Sequence, residues 1–518
     1  MPALNCSSAK GSPSESNPVN PRLTFEKGWI YCASELPKSV SKKMEDIPLS
    51  GNKSPIEHLL VLMLENRSYD HMLGYLPNGH GLTGEEYNLV DPANPESEKV
   101  YVSNASGYVT LPNPAHDMVS IEKQVYGDVG KIVTPAPMSG FVKVQIETAK
   151  GDVELGKKIM QCFDPVKIPA LTTLAREFVL CDHWHDSVPG PTWLNRFFAH
   201  AATSDGVSFD NAKHLYEMKT IFDLLFENGH TWNVYYGDIP QSIILQHGGD
   251  KLGHFKRFHN FYDDIKKEEL AAYTFIEPRF INFHQWKATD QHPPHDVRLG
   301  EYLIAEVYDT LRASQYWEKS LLVVLYDEHG GFYDRVPPPE HVPNPDGIVA
   351  VDPPFDFTRL GVRVPAVLVS PWVEKGRIDS TLYEHASLPA TVRTLFGLPE
   401  ALTARDRAAN TFDKNLTRST PRSDAPMTLP VPGEPDEIQH HRRLLRANTL
   451  EQWLRGLVNH KEKSQEPLTL YQQSLVELAD RLNEEAKTGV SPRAGQIFHE
   501  HEAAVHVHES LRRFLSER

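Results

Sequence analysis

The chain has 518 residues, of which 40% are hydrophobic and 24% are charged, a composition typical of a globular protein rather than of a disordered or fibrous one. Asp and Glu outnumber Lys and Arg by 69 to 53, which gives a formal net charge of -16. This balance argues against a general nucleic-acid binder, because such a protein needs a basic face for the phosphates.

The cysteines and the apolar runs exclude two further classes of protein. The chain has four cysteines, which form no CxxC motif and are too sparse for a disulfide scaffold or a thiolate metal site: Cys6, Cys32, Cys162 and Cys181. We expect them to be reduced. The apolar run Leu59–Leu64 is far shorter than the roughly 20 residues of a membrane-spanning helix. Residues 1–30 are polar and carry no recognisable secretion signal.

Alternating apolar runs and helical patterns predict the fold. Short apolar runs ended by polar residues predict six buried strands: His58–Leu64, Phe178–Cys181, Trp232–Tyr236, Tyr273–Ile276, Leu321–Tyr326 and Val364–Val369. Helices are predicted over Ile221–Phe226 and, from leucine and valine at four-residue spacing, over residues 299–311. This alternation predicts an α/β fold with a mainly parallel sheet and helices on both faces. Functional residues of such folds follow the carboxyl ends of the strands.

Composition divides the chain into four predicted segments. Residues 1–54 form a loosely ordered arm, and residues 55–415 form the sheet domain. Residues 416–436 contain five prolines and read as a linker. Residues 437–518 form a helical C-terminal region, in which Leu475, Leu478 and Leu482 share one stripe of a helix.

The first motif that could carry chemistry, Glu65-Asn66-Arg67-Ser68-Tyr69-Asp70-His71, directly follows the first predicted strand. Glu65 and Asn66 offer hard oxygen ligands for a divalent cation. Asn, Ser and Asp are also common helix N-caps. For this motif by itself, capping is the better interpretation.

A second motif, Asp327-Glu328-His329-Gly330-Gly331-Phe332-Tyr333-Asp334, follows the strand predicted at Leu321–Tyr326. Adjacent carboxylates at a strand end repel each other unless a cation or a proton lies between them. The two glycines allow the backbone to approach a ligand closely. The alternative is a solvated acidic turn, which is less consistent with so apolar a strand.

The third motif is the loop Asp186-Ser187-Val188-Pro189-Gly190-Pro191-Thr192-Trp193-Leu194-Asn195-Arg196. Thr192 falls near the start of a predicted helix, whose first amides attract anions. A hydroxyl there either caps the helix, which is the usual role of a lone threonine, or acts as a nucleophile activated by a metal or a base. The aromatic residues that follow form either an apolar rim or part of the core: Trp193, Phe197 and Phe198.

Histidines supply the remaining candidates. His292 and His295, in Asp290-Gln291-His292-Pro293-Pro294-His295-Asp296, could protonate a leaving group or bind a phosphate oxygen; a proline-rich loop before a helix is the alternative. His116 and His385 are single histidines that would usually be structural. The histidine-rich segment 498–508 is interpreted as one solvated helix face without a role.

Taken together, four motifs in this order resemble a phosphoesterase family that contains non-specific phospholipases C and related acid phosphatases: Glu-Asn-Arg-Ser-Tyr-Asp-His, Pro-Gly-Pro-Thr-x-x-Asn-Arg, His-Pro-Pro-His-Asp-Val and Asp-Glu-His-Gly-Gly-Phe-Tyr-Asp. The resemblance covers about residues 55–415 and implies an alkaline-phosphatase-like core. Threonine at the nucleophile position is typical of the phospholipase C members, and serine is frequent in the phosphatases. Leu194 replaces a proline of the family motif.

The resemblance also implies a site. It assigns one divalent metal ion, calcium, zinc or magnesium, to Glu65, Asn66, Thr192, Asp327 and Glu328, and it makes Thr192 the nucleophile. It places Asn195 in the same motif and matches His292 and His295 to the family's histidine loop. His116 and His385 match less specific patterns of that family.

The implied activity is hydrolysis of the glycerol-side phosphodiester of phospholipids such as phosphatidylcholine, through a phosphothreonine. This implies a phospholipid substrate and transient contact with a membrane surface. Because the sequence shows no recognisable secretion signal or membrane span, we expect a location in the cytoplasm or at the periphery of a membrane. Two alternatives remain open: a phosphomonoesterase that acts on soluble esters, and a non-catalytic protein that binds a metal and phosphate.

Overall fold

The computed structural model describes residues 54–77, 81–210, 212, 215–245, 249–447 and 466–516. Apart from Ser54, the predicted N-terminal arm lies outside the described residues, as do Cys6 and Cys32. Cys162 and Cys181 are buried free thiols, as expected. No described helix combines the length and the apolar character needed to cross a bilayer.

A central eight-stranded sheet organises the described residues. The strands, in chain order, are β1 His58–Leu64, β2 Tyr87–Leu89, β3 Lys99–Tyr101, β4 Val179–Cys181, β5 Trp232–Tyr236, β6 Phe255–Arg257, β7 Tyr273–Glu277, β8 Ser320–Tyr326, β9 Ala350–Val351, β10 Pro354–Phe355, β11 Ala366–Val369 and β12 Arg377–Asp379. The large sheet has the order β12-β4-β11-β8-β1-β7-β5-β6, and β2 with β3 and β9 with β10 form two small hairpin sheets. All six predicted strands are present.

The sheet is mainly parallel, as predicted. Only β11 runs antiparallel to its neighbours, β4 and β8, and every other pair in the large sheet is parallel. Every residue of β8 and all but the first of β1 are buried. Because successive side chains point to opposite faces, the centre of the sheet is covered on both faces.

Helices cover this sheet. Their bounds are α1 Tyr69–Leu73, α2 Met118–Tyr126, α3 Phe141–Thr148, α4 Val153–Lys157, α5 Pro169–Glu177, α6 Thr192–Ala201, α7 Ile221–Glu227, α8 His259–Lys266, α9 Val297–Arg312, α10 Ser387–Phe396, α11 Ala404–Ala408, α12 Pro435–Arg446, α13 Leu470–Glu485 and α14 Glu500–Ser516. Helices α5, α9 and α12 pack together, and so do α6, α7 and α10. The predicted fold class is confirmed.

In the described parts of the C-terminal region, residues 437–447 and 466–516, the chain is mainly helical, as predicted, and α13 packs along α14. Helix α12 begins at Pro435, so the last two residues of the predicted linker are already helical. The interpretation of residues 498–508 as one solvated face is wrong. His506 and His508 are buried, and His506 Nε2 lies 2.8 Å from Asp480 Oδ1.

The aromatic residues after Thr192 belong to the core. Trp193, Phe197 and Phe198 are at most 1% exposed. Trp193 Nε1 donates to Ser474 Oγ on α13 over 2.7 Å. The rim interpretation of these three side chains is therefore wrong, and the alternative, that they are core residues, is correct.

Candidate active site

Two pairs of polar residues lie together where β1 and β8 end. Glu65 and Asn66 follow β1, and Asp327 and Glu328 follow β8. The two strands are parallel neighbours paired along their full length, so both pairs leave the sheet at the same edge. The backbone N–H of Asn66 donates to Asp327 Oδ1 over 3.0 Å. The first and second motifs therefore form one site.

A tight backbone contact holds these two turns together. Asn66 has a φ of 56°, in the left-handed region that asparagine tolerates better than most residues. Gly330 has a φ of 63°, and a Cβ added there would lie 2.2 Å from the Asn66 carbonyl oxygen. Only glycine fits such an approach. The glycine of the second motif thus allows the first motif to approach.

Thr192 brings the third motif into the same site. It is the first residue of α6 and is fully buried. Its Oγ1 donates to Asn66 Oδ1 over 3.5 Å, which is long for a hydrogen bond. Pro191 is the N-cap of α6 and provides no side-chain cap. The hydroxyl of Thr192 therefore faces the strand-end pairs and does not cap its helix.

Asn195 fixes the loop that carries Thr192. Its Oδ1 accepts from the backbone N–H groups of Ser187 and Val188 over 2.9 and 3.1 Å. Its Nδ2 donates to the carbonyls of Val188 and Gly190 over 3.1 and 3.0 Å. All of these contacts are with backbone groups of the loop before Thr192. Asn195 therefore fixes the shape of the loop and, through it, the position of Thr192.

Arg196 supplies a buried positive charge beside the carboxylates. Its Nη2 lies 3.1 Å from Glu65 Oε1, and its Nε lies 3.1 Å from Asp327 Oδ2. Burial alone would lower the pKa of Arg196, but the charges of Asp327 and Glu65 raise it above its usual value. The sequence assigns Arg196 no role, and the structure shows that it pairs with both carboxylates.

Negative charge exceeds positive charge at this edge of the sheet. The pKa values of Glu65 and Glu328 are raised well above the usual value of a glutamate. Burial is the larger cause, and repulsion by Asp327 is the second. Burial also raises the pKa of Asp327. Such a group of carboxylates needs protons or a further cation in addition to Arg196.

The donor atoms fit a hard divalent ion by their chemistry. Among the described residues, Glu65 Oε2 and Glu328 Oε1 are buried without a hydrogen-bond partner. With the side chains of Asn66, Thr192 and Asp327 they form an all-oxygen set of the kind that magnesium and calcium prefer. As the described side chains stand, no three His, Cys, Asp or Glu groups converge on one point.

His116 and His292 lie at the same site. His116 Nε2 lies 3.2 Å from Asn66 Nδ2 and 3.9 Å from Glu328 Oε1. The ring centroids of His116 and His292 are 5.7 Å apart. His292 Nδ1 contacts the Pro293 carbonyl, whereas its Nε2 is buried with no hydrogen-bond partner in the part of the chain that the structure describes. Burial, then the charges of His116 and His295, lowers the pKa of His292.

His295 has both ring nitrogens engaged. Nδ1 lies 2.7 Å from Asp290 Oδ1, and Nε2 lies 3.3 Å from Glu500 Oε1. Gln472 Nε2 is also 3.3 Å from His295 Nε2. Burial opposes protonation, but Asp290 and Glu500 raise the pKa of His295 to about 10. The ring is therefore held as a charged member of a buried network.

His385 lies behind Asp327. Its Nε2–H donates to the Asp327 carbonyl, and its Nδ1 accepts from Trp184 Nε1 over 3.3 Å. Burial lowers the pKa of His385 to about 4. This neutral ring supports the backbone of the second motif and directs neither nitrogen at Thr192.

Two residues of the C-terminal helices contact the site. Tyr471 lies in no sequence motif, and Glu500 lies in the histidine-rich segment 498–508, to which the sequence assigns no role. Tyr471, on α13, stacks on His292 with ring centroids 6.3 Å apart. Its hydroxyl is buried and finds no hydrogen-bond partner among the described residues. Burial, then the charge of Glu65, raises the pKa of Tyr471. Glu500, the first residue of α14, contacts His295 as described above.

Known proteins resemble this chain over most of its length. The model of the Phosphoesterase family matches residues 56–399. Non-specific phospholipase C1 of Arabidopsis thaliana is 41% identical over 401 residues, covering 73% of this chain and 74% of that protein. Phospholipase C B of Mycobacterium tuberculosis (strain ATCC 25618 / H37Rv) is 24% identical over 409 residues, covering 68% and 75%. A solved protein of the alkaline phosphatase superfamily from Vibrio parahaemolyticus has 13% identity and a TM-score of 0.30, covering 59% of this chain and 85% of that one.

The chain belongs to the phosphoesterase family, since the family model matches well over half of it. The resemblance inferred from the four motifs is thereby confirmed. The class of enzyme, a phosphoric ester hydrolase, follows from this family and from the identity to the plant protein.

Proposed function

We propose that this hydrolase is a phospholipase C that cleaves phospholipids such as phosphatidylcholine into diacylglycerol and a phosphorylated headgroup. The observation that carries the proposal is the buried Thr192 hydroxyl, which faces Asn66 beside two strand-end carboxylate motifs. The identity of about 40% to plant proteins named non-specific phospholipases C supports the choice of substrate.

In the proposed reaction, Thr192 Oγ1 forms a bond to phosphorus as the bond from phosphorus to the glycerol oxygen breaks. The product on the enzyme is a phosphothreonine that still carries the headgroup. His116 accepts the hydroxyl proton of Thr192, and His292 donates a proton to the glycerol oxygen. Water then breaks the bond between threonine and phosphorus, which restores the hydroxyl and releases the phosphorylated headgroup.

His292 is the proposed proton donor to the glycerol oxygen. Its Nε2 is buried without a hydrogen-bond partner among the described residues, whereas His295 has both nitrogens engaged. The negative charge of a bound phosphodiester favours the protonated imidazole. His116 is 13% exposed and lies beside Glu328. It is the proposed acceptor of the proton that the Thr192 hydroxyl loses. Asn195, His295 and His385 act as positioning residues.

Glu65, Asn66, Thr192, Asp327 and Glu328 are the proposed ligands of one divalent ion. Such an ion, when bound, lowers the pKa of a coordinated hydroxyl and neutralises charge on a phosphoryl oxygen. The residues themselves supply the oxygen donors, and Arg196 compensates part of their charge.

One comparison of substrates tests this function. Initial rates are measured on phosphatidylcholine and on a soluble phosphomonoester, each with and without a chelator. We expect faster turnover of the lipid and loss of both activities with chelator. Preference for the monoester would make the protein a phosphatase, and hydrolysis of neither ester by the metal-loaded protein would make it a binding protein.

A further inference from the structure

Arg67, in the first motif, is a buried charge that the proposed reaction does not use. It directly follows Asn66 and is fully buried, and burial lowers its pKa to about 9. Its hydrogen-bond partners among the described residues are all neutral: the Gln291 carbonyl, the Thr110 hydroxyl and the ring of His71, whose pKa is lowered by burial. Buried charges are usually paired with an opposite charge, so Arg67 needs another explanation.

Two nitrogens of Arg67 hold one carbonyl of the histidine loop. Nε and Nη2 both donate to the Gln291 carbonyl oxygen, over 2.9 and 2.6 Å. This oxygen belongs to the peptide bond that joins Gln291 to His292. On its other side, Nη1 lies 3.2 Å from His71 Nε2, and the guanidinium carbon lies 4.5 Å from the centre of the Phe332 ring. The turn after β1 therefore fixes the peptide from which His292 begins.

Gln291 has a backbone conformation that the surrounding residues must hold. Its φ of 74° lies in the left-handed region, which glutamine rarely adopts. Its Oε1 accepts from the Tyr326 hydroxyl, and its Nε2 donates to the Val297 carbonyl over 2.9 Å. A Cβ added at Gly300 would lie 2.2 Å from Gln291 Cγ, so the side chain is also tightly packed. Arg67 holds the backbone end of Gln291, and Tyr326 holds its side-chain end.

The reacting nitrogen of His292 has no such contact of its own. His292 Nε2 is buried and has no hydrogen-bond partner in the described part of the chain. His292 Nδ1 contacts the carbonyl of the next residue, Pro293, and Tyr471 stacks on the face of the ring. The direction of Nε2 therefore depends on the backbone that carries the ring, and that backbone begins at the Gln291 carbonyl.

We propose that Arg67 is a positioning residue for the proton donor: by holding the Gln291 carbonyl, it keeps His292 Nε2 directed at the glycerol oxygen of the substrate. The inference rests on the proposed function, in which His292 protonates that oxygen. It gives a reason for a bidentate arginine at this position, since a guanidinium fixes one acceptor with two donors, which an ammonium does not.

This role differs from that of His295. His295 pairs with Asp290, whose backbone carbonyl accepts from the Glu65 N–H over 2.9 Å. Loss of His295 therefore also affects a proposed metal ligand, whereas loss of the Arg67 contact acts first on the peptide before His292. The two residues should consequently differ in how their loss depends on the leaving group.

A comparison of leaving groups tests the role of Arg67. Arg67→Lys keeps the positive charge and removes the bidentate contact. We expect kcat/KM for phosphatidylcholine to fall about tenfold, and that for nitrophenylphosphorylcholine, whose leaving group needs no proton, to fall less than about threefold. The control is Arg422→Lys, because Arg422 is 6% exposed and pairs with Glu177 of α5 instead; the ratio of the two rates should not change. Equal losses on both substrates in Arg67→Lys, or the same change of ratio in the control, would overturn the proposal.

A double-mutant cycle shows whether Arg67 acts through His292. Arg67→Lys should have little further effect on lipid hydrolysis in a His292→Gln protein, because the group that it positions is absent. Losses that multiply independently would overturn the proposal. Thermal unfolding and metal content are measured for every variant. If Arg67→Lys does not fold, Tyr326→Phe, which releases the other end of Gln291, takes its place with the same expected and contradicting results.

Two outcomes separate this inference from the proposed function. An equal loss on both substrates for His292→Gln alone would refute the proton donor, and the role of Arg67 with it. If the wild type cleaves only soluble monoesters, the phospholipase C function fails, and glycerol phosphate and nitrophenyl phosphate replace the two diesters in the same cycle. A fall confined to glycerol phosphate would then support the positioning role of Arg67, and equal losses on both monoesters would overturn it.

Discussion

Glu500, at the start of the last helix, contacts His295 in the loop before α9. Glu500 Oε1 lies 3.3 Å from His295 Nε2, and Asp290 Oδ1 lies 2.7 Å from the other ring nitrogen. Burial and the charge of His295 act in opposite directions on Glu500, and the net result is a lowered pKa. The C-terminal region thus completes the ion pairing of a residue in the histidine loop.

This ion pair predicts a pH-dependent stability. The folded pKa of His295 is about 10, above the value of about 6.5 for an unfolded histidine. The stabilisation that protonated His295 adds to the free energy of unfolding is therefore complete below about pH 6.5. It is lost as the pH rises toward 10. The wild type should lose about 1.4 kcal/mol per pH unit more than His295→Gln between pH 7.5 and 9.5. Denaturant unfolding across this range measures both slopes, and parallel slopes would contradict the charged state of His295.

Tyr471→Phe tests whether the C-terminal helix contributes to the reaction. The substitution keeps the stacking on His292 and removes a buried hydroxyl that is unpartnered among the described residues. If the hydroxyl contacts the substrate, kcat/KM on phosphatidylcholine should fall roughly tenfold with little change in the midpoint of unfolding. Ser474→Ala is the control for packing: Ser474 lies on the same helix as Tyr471, and the substitution removes its hydrogen bond from Trp193 of α6. Equal activity of Tyr471→Phe and wild type would limit Tyr471 to a packing role.

Glu328→Gln should weaken the binding of the divalent ion. The substitution keeps the size of the side chain but removes one negative charge from a site where Glu328 Oε1 has no hydrogen-bond partner among the described residues. Elemental analysis after gel filtration should show a substoichiometric metal content, and added metal should restore part of the activity. Glu384→Gln alters a buried glutamate that pairs with Arg405 instead, and it should retain its metal. A full metal complement in Glu328→Gln would contradict the assignment.

Substrates with different leaving groups distinguish the role of His292 from that of His295. A diacylglycerol alkoxide needs a proton as it leaves, and nitrophenolate does not. His292→Gln should therefore slow lipid hydrolysis by a factor on the order of 10² to 10⁴ and slow nitrophenylphosphorylcholine hydrolysis much less. His295→Gln should slow both substrates by a similar factor, because this residue positions the loop. The same loss on both substrates for His292→Gln would limit His292 to phosphate binding.

Much of the fold and the site could be predicted because the relevant signals are local. The strand His58–Leu64 is a continuous apolar run, and the polar pairs after it and after Tyr326 are adjacent in sequence to their strands. Parallel pairing then brings the pairs together without further information.

The remainder depended on contacts between distant residues. Nothing local shows that His295 is enclosed between Asp290 and Glu500, which is 205 residues away, or that Tyr471 reaches His292. The aromatic residues of α6 were ambiguous because amphipathic spacing does not distinguish a lipid-facing stripe from one covered by α13. The exposed hairpin at Val351 is too short to have a periodic signal.

The nucleophile is tested most directly by trapping the intermediate on Thr192. Wild type, Thr192→Ala and Thr192→Ser are mixed with phosphatidylcholine, quenched in acid within one turnover, and analysed by peptide mass spectrometry. The wild type should carry phosphocholine on Thr192, Thr192→Ser should carry it on the serine, and Thr192→Ala should show none and lose activity by a factor on the order of 10³ or more. Near-normal turnover by a folded Thr192→Ala would exclude Thr192 and indicate direct attack by water.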